Sequence, residues 1–245
     1  MEIKVITGDI TKIEADAIIV NFFEGMERPD GDVATIDRAL TGAISQLIGK
    51  GEIKGKLNEI TVIHSLGKLP AARVTMVGLG KQQELSTDKV RGAVAETCRL
   101  LQKRGVKTIA TVAQGVGIGG ITPEGSAQAI TEGALLGVYS FRKHITKEAE
   151  YGEIEQFTIV NANESNLPLL EQGCNKGRIL AEAANLARDM VNEPANYMTP
   201  THMAEMATRL ARTYGLKISV LEREQMQELG MGALLGVARG SLEPP

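Results

Sequence analysis

A glycine-rich loop is the most suggestive chemical feature of the chain. Gly115-Val116-Gly117-Ile118-Gly119-Gly120 directly follows a β-branched run and precedes a helical pattern that begins at Thr122-Pro123. Glycines let a backbone approach a diphosphate closely, and the amides at a helix start carry partial positive charge. The loop therefore predicts either a phosphate cradle or a tight turn that binds nothing, and we favour the turn.

The same glycines also fit the dinucleotide pattern G-x-G-x-x-G at Gly115, Gly117 and Gly120. That fingerprint requires an acidic residue at the end of the next strand, where it binds a ribose. The next β-branched run ends in Val160-Asn161, which supplies no carboxylate. A nicotinamide cofactor is therefore disfavoured.

The remaining reactive side chains form no recognisable site. The histidines are scattered without metal-ligand spacing, the two cysteines have no motif, and two early aspartates flank a strand, where turn-forming acids are common. These residues are His64, His144, His202, Cys98, Cys174, Asp9 and Asp16. We read the cysteines as free buried thiols in a reducing cytoplasm. No catalytic, cofactor-binding or metal-ligating residue is assigned.

Composition sets broad limits on function. The 245 residues carry a net charge of −3, with 43% hydrophobic and 23% charged residues. These values are typical of a globular protein and give no general attraction to nucleic acid or to anionic lipid. No signal peptide or membrane-spanning run is recognisable, so we expect a cytoplasmic protein with neither membrane nor nucleic-acid partners.

The elements that would position the loop alternate between strand and helix. The first helical stripe follows Ser86 or Thr87 and closes near Gly105. The second follows Thr122 and ends with Phe141, and a third, weaker stripe covers residues 33–48. Such alternation predicts an α/β fold with three layers and a mostly parallel sheet. The predicted strands cover residues 3–6, 17–20, 60–63, 74–77, 108–112 and 157–160.

A polar, turn-rich stretch at residues 161–168 divides the chain. We predict an amino-terminal domain over 1–162, a connector helix over 163–192 and the start of a second α/β domain over 193–245. The connector should pack along a stripe running from Leu180 to Val191. The second domain should open with a helix capped by Thr199, whose inward face includes Met203 and Tyr214, followed by a strand at 217–221 and a short helix.

Two resemblances give these elements a function. Gly8-Asp9-Ile10-Thr11, the run from Asp16 to Asn21 and the loop at Gly115 resemble macro domains, the α/β modules that bind ADP-ribose. The chain departs from them after Asn21, where Phe22-Phe23-Glu24 replaces their small asparagine-rich turn and polyglycine loop. An ADP-ribose or nucleotide-binding module is therefore an alternative reading.

The second resemblance lies in two later blocks. Asn192-Glu193-Pro194-Ala195-Asn196-Tyr197-Met198-Thr199-Pro200 and Gly230-Met231-Gly232-Ala233-Leu234-Leu235-Gly236-Val237-Ala238-Arg239-Gly240-Ser241 resemble the leucyl (cytosol) aminopeptidase family. The resemblance implies a macro-like amino-terminal domain that is generally not a nucleotide binder. It also implies a hydrolase that removes amino-terminal residues from peptides with two divalent ions (manganese, zinc or magnesium) and assembles as a homo-hexamer.

In that family the metal ligands lie downstream of the second block. We therefore expect this chain to be a truncated amino-terminal portion that binds no metal and is inactive alone. A non-catalytic assembly partner of full-length subunits is the remaining alternative.

Overall fold

The computed structural model describes residues 1–245. The chain divides into two compact units, Met1–Asn185 and Leu186–Pro245. The sequence predicts domain boundaries at residues 162 and 192, and these boundaries stay predictions. No helix is long and apolar enough to cross a membrane.

A six-stranded sheet organises the first unit, and all six predicted strands are confirmed. The order is β1-β6-β5-β2-β4-β3, and every neighbouring pair is parallel except β3 and β4. Strand β2 lies inside the sheet and is buried almost throughout, which explains its continuous apolar sequence. The strands are β1 Glu2–Thr7, β2 Ala17–Phe22, β3 Ile60–His64, β4 Arg73–Gly78, β5 Thr108–Val112 and β6 Gln156–Asn161.

Helices cover both faces of this sheet, as the three-layer prediction requires. Helices α1 (Gly31–Ala39) and α2 (Ala43–Gly49) contribute to one apolar cluster, and α3 (Thr87–Lys103) and α4 (Pro123–Gly137) to the other. Ser86 caps α3, and the helix closes at Gly105 with a positive φ of 73°, both as predicted. Helix α4 ends at Gly137, so the predicted extension to Phe141 is wrong.

The single helical pattern over residues 33–48 is also corrected, because the chain breaks into α1 and α2. Thr41 and Gly42 adopt positive φ values of 59° and 79° at the break. The buried Asp37 carboxylate accepts hydrogen bonds from the amides of Ile44 and Ser45, at 2.8 and 3.1 Å. This carboxylate satisfies amides at the start of α2, which the left-handed turn would otherwise leave unpaired.

Helix α4 is held backbone-to-backbone between two other helices. A Cβ added at Gly133 would lie 2.5 Å from the Arg91 carbonyl oxygen on α3. A Cβ at Gly173, on the long helix α5 (Leu167–Asn192), would lie 2.2 Å from the Glu124 carbonyl oxygen on α4. Neither position has room for any side chain, so α3, α4 and α5 are set at the shortest spacing that glycine permits.

An ion pair also joins α3 to α4. Glu132 is only 5% exposed, and one of its carboxylate oxygens accepts a hydrogen bond from Arg91 Nε at 2.5 Å. Its other oxygen accepts one from Gln128 Nε2 at 2.7 Å. Because both oxygens are paired, the buried charge is compensated and fixes the register of the two helices.

The predicted packing stripe on α5 is wrong. Leu180 is 48% exposed and Val191 is 83% exposed. The buried stripe instead runs through Leu170, Gly173, Cys174, Gly177 and Ala181. Glycines at this contact allow a closer approach of the helices than large apolar residues would. A prediction from the spacing of large apolar side chains does not count glycines, so it misses this stripe.

The second unit consists of three further helices joined by turns. Helix α6 (Pro200–Tyr214) begins at the predicted Thr199 cap, and α7 (Arg223–Glu228) is the predicted short helix. Helix α8 (Gly232–Ala238) was not predicted. The predicted strand at 217–221 is absent, and the predicted inward face of α6 is wrong, because Met203 is 45% and Tyr214 70% exposed.

The glycine contact between α4 and α5 generates the first prediction. Gly173→Ala should destabilise the first unit by about 1–3 kcal/mol, because the methyl group must displace backbone. Gly92→Ala on α3 is the matched control, since nothing lies within 4 Å of its added Cβ. It should leave stability unchanged or raise it by up to about 1 kcal/mol through helix propensity. Urea unfolding followed by circular dichroism measures both; equal effects would contradict the packing argument.

A second prediction concerns Asp16, whose carboxylate oxygen accepts hydrogen bonds from the amides of Lys107 and Thr108 at 2.8 and 2.9 Å. Burial opposes ionisation, but these hydrogen bonds outweigh it and lower the Asp16 pKa below 3.8. A lowered folded-state pKa means that the stabilisation is complete above pH 4 and is lost as pH falls through the folded value.

Asp16→Asn should therefore cost about 2 kcal/mol at pH 7 and progressively less below pH 4. The neighbouring exposed Glu14→Gln is the control and should show no such trend. Thermal unfolding between pH 2 and 7 checks it, and a cost for Asp16→Asn independent of pH would refute the assignment.

Candidate functional site

A cleft of about 200 Å³ opens at the carboxyl ends of β2 and β5. In parallel α/β sheets this edge is the usual place for ligands. Three segments form it: the end of β2, the start of α1 and the glycine loop after β5. Its lining residues are Val20, Asn21, Asp30, Gly31, Asp32, Val33, Val112, Ala113, Gly115, Val116 and Ile118.

The glycine loop lies where the sequence predicts, and two of its six amides are bonded within the turn. The Gly117 amide donates to the Ile121 carbonyl oxygen at 2.9 Å, and the Ile118 amide donates to that of Gly115 at 3.0 Å. The Ile121 amide in turn donates to the Ile118 carbonyl oxygen at 3.0 Å. These three bonds close residues 115–121 into a tight turn, and the amides of Gly115, Val116, Gly119 and Gly120 make no such bond.

Left-handed backbone explains why the loop is built from glycine. Gly115, Gly117, Gly119 and Gly120 have φ values of 72°, 83°, 59° and 76°. At Gly115 a Cβ would also lie 2.6 Å from a methyl carbon of Leu85. The glycines are thus required by the turn itself, whether or not a ligand binds.

The start of α4 is likewise committed to the protein. Thr122 Oγ1 accepts a hydrogen bond from the Gly125 amide at 3.0 Å, and the Ser126 amide donates to the Thr122 carbonyl oxygen at 2.9 Å. The Ser126 hydroxyl donates to the Gln114 carbonyl oxygen at 2.7 Å, which ties the helix to the loop. Two of the first helical amides are therefore already satisfied by Thr122.

Carboxylates, not cations, stand at the mouth of the cleft. Asp30 and Asp32 line it, and no lysine, arginine or histidine does. Partial burial raises the pKa of Asp32, and the charge of Asp9 raises it further. A pKa raised by a like charge indicates a negative local field, which would repel a diphosphate.

A loop over residues 54–59 packs against the end of β4. The Gly80 amide donates to the Gly55 carbonyl oxygen at 2.9 Å, and one Glu59 carboxylate oxygen accepts from the Lys54 and Gly55 amides, both at 2.7 Å. A Cβ at Gly78 would lie 1.9 Å from the Lys56 carbonyl oxygen. The chain thus fills space that an open ligand groove would need.

The other candidate residues named from the sequence lie in capping or surface positions outside the cleft. Asp9 caps a short 3₁₀ helix: Thr11 donates hydrogen bonds to its carboxylate from its hydroxyl and amide, and these lower its pKa. His64 ends β3 and is exposed, and His202 Nδ1 lies 2.8 Å from the Thr199 hydroxyl oxygen. Asp9, His64 and His202 do not line the cleft.

The third histidine and the two thiols are equally separate. His144 contacts the Phe141 ring, with centroids 6.0 Å apart. Both cysteines are free and buried, and burial raises the pKa of Cys98 to about 12. Burial also raises the pKa of Cys174. Thiols held in this protonated form are poor nucleophiles.

The two later sequence blocks form connections. In the first block, the Tyr197 and Met198 amides both donate to the Pro194 carbonyl oxygen, at 2.8 and 3.0 Å, in the turn between α5 and α6. In the second, Gly230 closes α7 with a φ of 72° and α8 follows. No group of three or more histidine, cysteine, aspartate or glutamate side chains in the chain could hold a metal ion.

Sequence reasoning missed Asp30, Asp32 and Glu59. The first two flank Gly31 at a helix start, a pattern that is indistinguishable from ordinary capping until the start of α1 is placed beside the ends of β2 and β5. Glu59 lies in a polar turn whose role appears only when its carboxylate is seen to bind two amides of the same loop.

Two protein-family models match the chain, one in each unit. Residues 19–148 match the family model described as the cytosol aminopeptidase family, N-terminal domain. Residues 185–245 match the model for the catalytic domain of the same family. The chain belongs to the cytosol aminopeptidase family.

Curated relatives agree with this membership. The chain is 40% identical over its whole length to a probable cytosol aminopeptidase of Alkaliphilus oremlandii (strain OhILAs), of which it covers 49%. It is 39% identical over its whole length to one of Solibacter usitatus (strain Ellin6076), of which it covers 47%. The chain thus spans about half the length of the curated relatives it matches.

Solved structures support the fold of this family member. A tomato leucine aminopeptidase mutant superposes with a TM-score of 0.81 at 23% identity, covering all of this chain and 49% of the tomato chain. The bottromycin maturation enzyme BotP, solved in complex with Mn, gives 0.71 at 26% identity, with 94% and 43% covered.

The acidic mouth of the cleft predicts that ADP-ribose does not bind. Titration calorimetry with ADP-ribose up to about 1 mM should give no saturable heat, since a diphosphate there would meet carboxylates without a compensating cation. Asp32→Asn is a useful companion, because removal of one charge alone should not restore binding while Asp30 and Asp9 keep theirs. Saturable micromolar heat from the natural chain would contradict this account.

Proposed function

We propose that this chain is the amino-terminal portion of a metal-dependent leucyl aminopeptidase, which removes amino-terminal residues from peptides. The observation that carries the proposal is the pair of matches to the amino-terminal and catalytic models of one family, in that order. The catalytic match begins at residue 185, and the matched relatives are about twice as long.

The chain alone is proposed to be inactive. Two-metal hydrolysis needs carboxylates and other donors gathered around each ion, to activate water and to bind the substrate carbonyl. The residues present do not fit such a centre, because no suitable donor cluster exists in either unit. In the complete enzyme, we propose two divalent ions (manganese, zinc or magnesium), and the Mn in the BotP structure supports manganese.

The role of the first unit in this proposal is structural. Its strand-end cleft is small and acidic, and glycine contacts hold α4 and α5 close together. A rigid domain of this kind can position neighbours without binding a small molecule. We propose that it contributes to a cytoplasmic homo-hexamer when the protein is complete, which suits relatives named cytosol aminopeptidases.

Two proteins test the proposal by their activity. The 245-residue chain should not hydrolyse leucyl p-nitroanilide, with or without added Mn²⁺. Residues 1–245 fused to the remaining half of the Alkaliphilus oremlandii relative should hydrolyse it in a Mn²⁺-dependent manner, because the fusion restores the family's complete length. A chelator-treated fusion serves as the control.

Either of two results would overturn the proposal. Metal-dependent turnover by the rigorously purified chain would disprove its inactivity. A folded fusion that binds Mn²⁺ yet cleaves no aminoacyl substrate would disprove the aminopeptidase assignment.

A further inference from the structure

The two edge strands of the six-stranded sheet differ in how they are protected against pairing with a further strand. Edge strand β1 carries Glu2 and Lys4, whose side chains form an ion pair at 3.0 Å. Charged side chains of this kind keep sheet edges from pairing. Edge strand β3 reads Ile60-Thr61-Val62-Ile63-His64, without a lysine, an acidic residue or a proline, and its register with β4 is continuous, without a bulge. The β3 edge therefore lacks the usual protection.

Every second residue of β3 turns its main-chain amide and carbonyl away from the sheet. The Ser65 amide donates to the Ala72 carbonyl oxygen at 3.0 Å, and the Gly78 amide donates to the Glu59 carbonyl oxygen at 2.8 Å. In an antiparallel pair, residues bonded to the neighbouring strand alternate with residues that face outward. The residues whose amides and carbonyls lie at the open edge are therefore Ile60, Val62 and His64.

These outward groups are complementary to themselves. Val62 is the central residue of the three, so a two-fold axis at Val62 pairs it with Val62 of a second copy and pairs Ile60 with His64. Each of the three residue pairs then exchanges two main-chain hydrogen bonds, as in any antiparallel ladder. The same strand thus supplies both sides of a symmetric contact.

Exposed leucines flank the same strand. Leu57 is 42% exposed just before β3, and Leu66 is 86% exposed just after it. Leu66 has a φ of 51°, and a left-handed backbone is uncommon for a bulky apolar residue. When the two-fold register is continued past the strand ends, Leu66 of one copy lies beside Leu57 and Asn58 of the other. Apolar contacts at both ends would therefore accompany the backbone pairing.

We propose that β3 is an interface between two copies of this chain. The two β3 strands pair antiparallel about a two-fold axis at Val62, and two six-stranded sheets become one sheet of twelve strands. The inference deepens the proposed function by naming the surface through which the first unit joins copies, and it rests on the proposed assembly. A second copy fits this edge better than an unrelated peptide, because it brings the matching leucines as well as the matching backbone.

A pair of proline substitutions tests the backbone contact. Val62→Pro removes an outward amide from the centre of the ladder in each copy, so dimerisation should weaken by at least about tenfold. An edge strand tolerates proline where the lost amide faces solvent, so the melting temperature should change little. Sedimentation equilibrium over a concentration series measures the dimerisation.

Val5→Pro on β1 is the matched control. Val5 is also half-buried and packs against the same apolar cluster as Val62. The Glu2 and Gly8 amides bond to β6 and its end, so the alternation makes the Val5 amide face outward as well. This variant should dimerise as the natural chain does.

A surface substitution tests the leucine contact without touching the strand. Leu66→Asp should weaken dimerisation by about tenfold, since it places a charge in an apolar contact. Aspartate also tolerates the left-handed backbone at this position, so the fold should be retained. Ile179→Asp is the control, because Ile179 is 61% exposed on α5 and lies outside the proposed contact. It should leave dimerisation unchanged.

Amide hydrogen exchange measures the pairing residue by residue. In the monomer the Thr61 and Ile63 amides are protected by β4, and the outward amides of β3 exchange freely. In the dimer these outward amides should be slowed by about tenfold or more, because they become paired. The outward amides of β1 should not change.

Several outcomes would overturn the β3 contact. They are a chain that sediments as a monomer at every concentration, dimers that Val62→Pro leaves intact, and dimers that Ile179→Asp dissociates. Protection of residues 217–221 in the dimer would also overturn it, because the β3 edge would then hold that segment in place of a second β3.

The fusion used for the activity test separates this inference from the aminopeptidase assignment. An active fusion whose outward β3 amides are unprotected refutes the β3 contact and sustains the peptidase activity. A fusion with protected β3 amides and no activity sustains the contact and refutes the peptidase activity.

Discussion

The close contact of α4 with α3 and α5 is the constraint on which the first unit depends. Gly133 and Gly173 leave no space for a side chain between these helices, and the Arg91–Glu132 pair fixes their register. Because the start of α4 is tied to the glycine loop through Ser126, this spacing also determines where the loop lies above β5. The geometry of the strand-end cleft therefore depends on how α4 packs against its two neighbouring helices.

The cleft shows how a ligand-like motif can be used for structure. Four left-handed glycines, a capped helix start and a strand-end position resemble a phosphate site, and two of the loop amides bond to the loop itself. Asp30, Asp32 and Asp9 add negative charge where an anion would need the opposite. The local negative charge thus disfavours the diphosphate ligand that the glycine pattern alone would suggest.

Local signals in the sequence were sufficient for much of the first unit. All six strands, the Ser86 and Thr122 caps and the Gly105 closure follow from β-branched runs and capping chemistry, which act within a few residues. The break between α1 and α2 was missed because it depends on Asp37 reaching forward to a second helix. The stripe on α5 was missed because the contact is made by glycines, which carry little weight in a hydrophobic pattern.

The site and the second unit were harder to predict, for two different reasons. Asp32 and Glu59 acquire their roles only from neighbours that are distant in sequence or from the path of a loop, which periodicity does not encode. The strand expected at 217–221 has suitable residues, but strand formation needs pairing partners as well as propensity, and this segment pairs with no other strand. The aminopeptidase resemblance, by contrast, was readable because its two blocks are contiguous in sequence.

The apolar side chains of Leu216, Ile218 and Val220 are exposed, and this exposure has a consequence for biosynthesis. The sheet of the first unit is complete once β6 has emerged, so that unit can fold while later residues are still being translated. In a protein as long as the matched relatives, about as many residues follow, which at bacterial rates takes roughly ten to fifty seconds. Throughout that interval Leu216, Ile218 and Val220 remain accessible to chaperones and to neighbouring nascent chains.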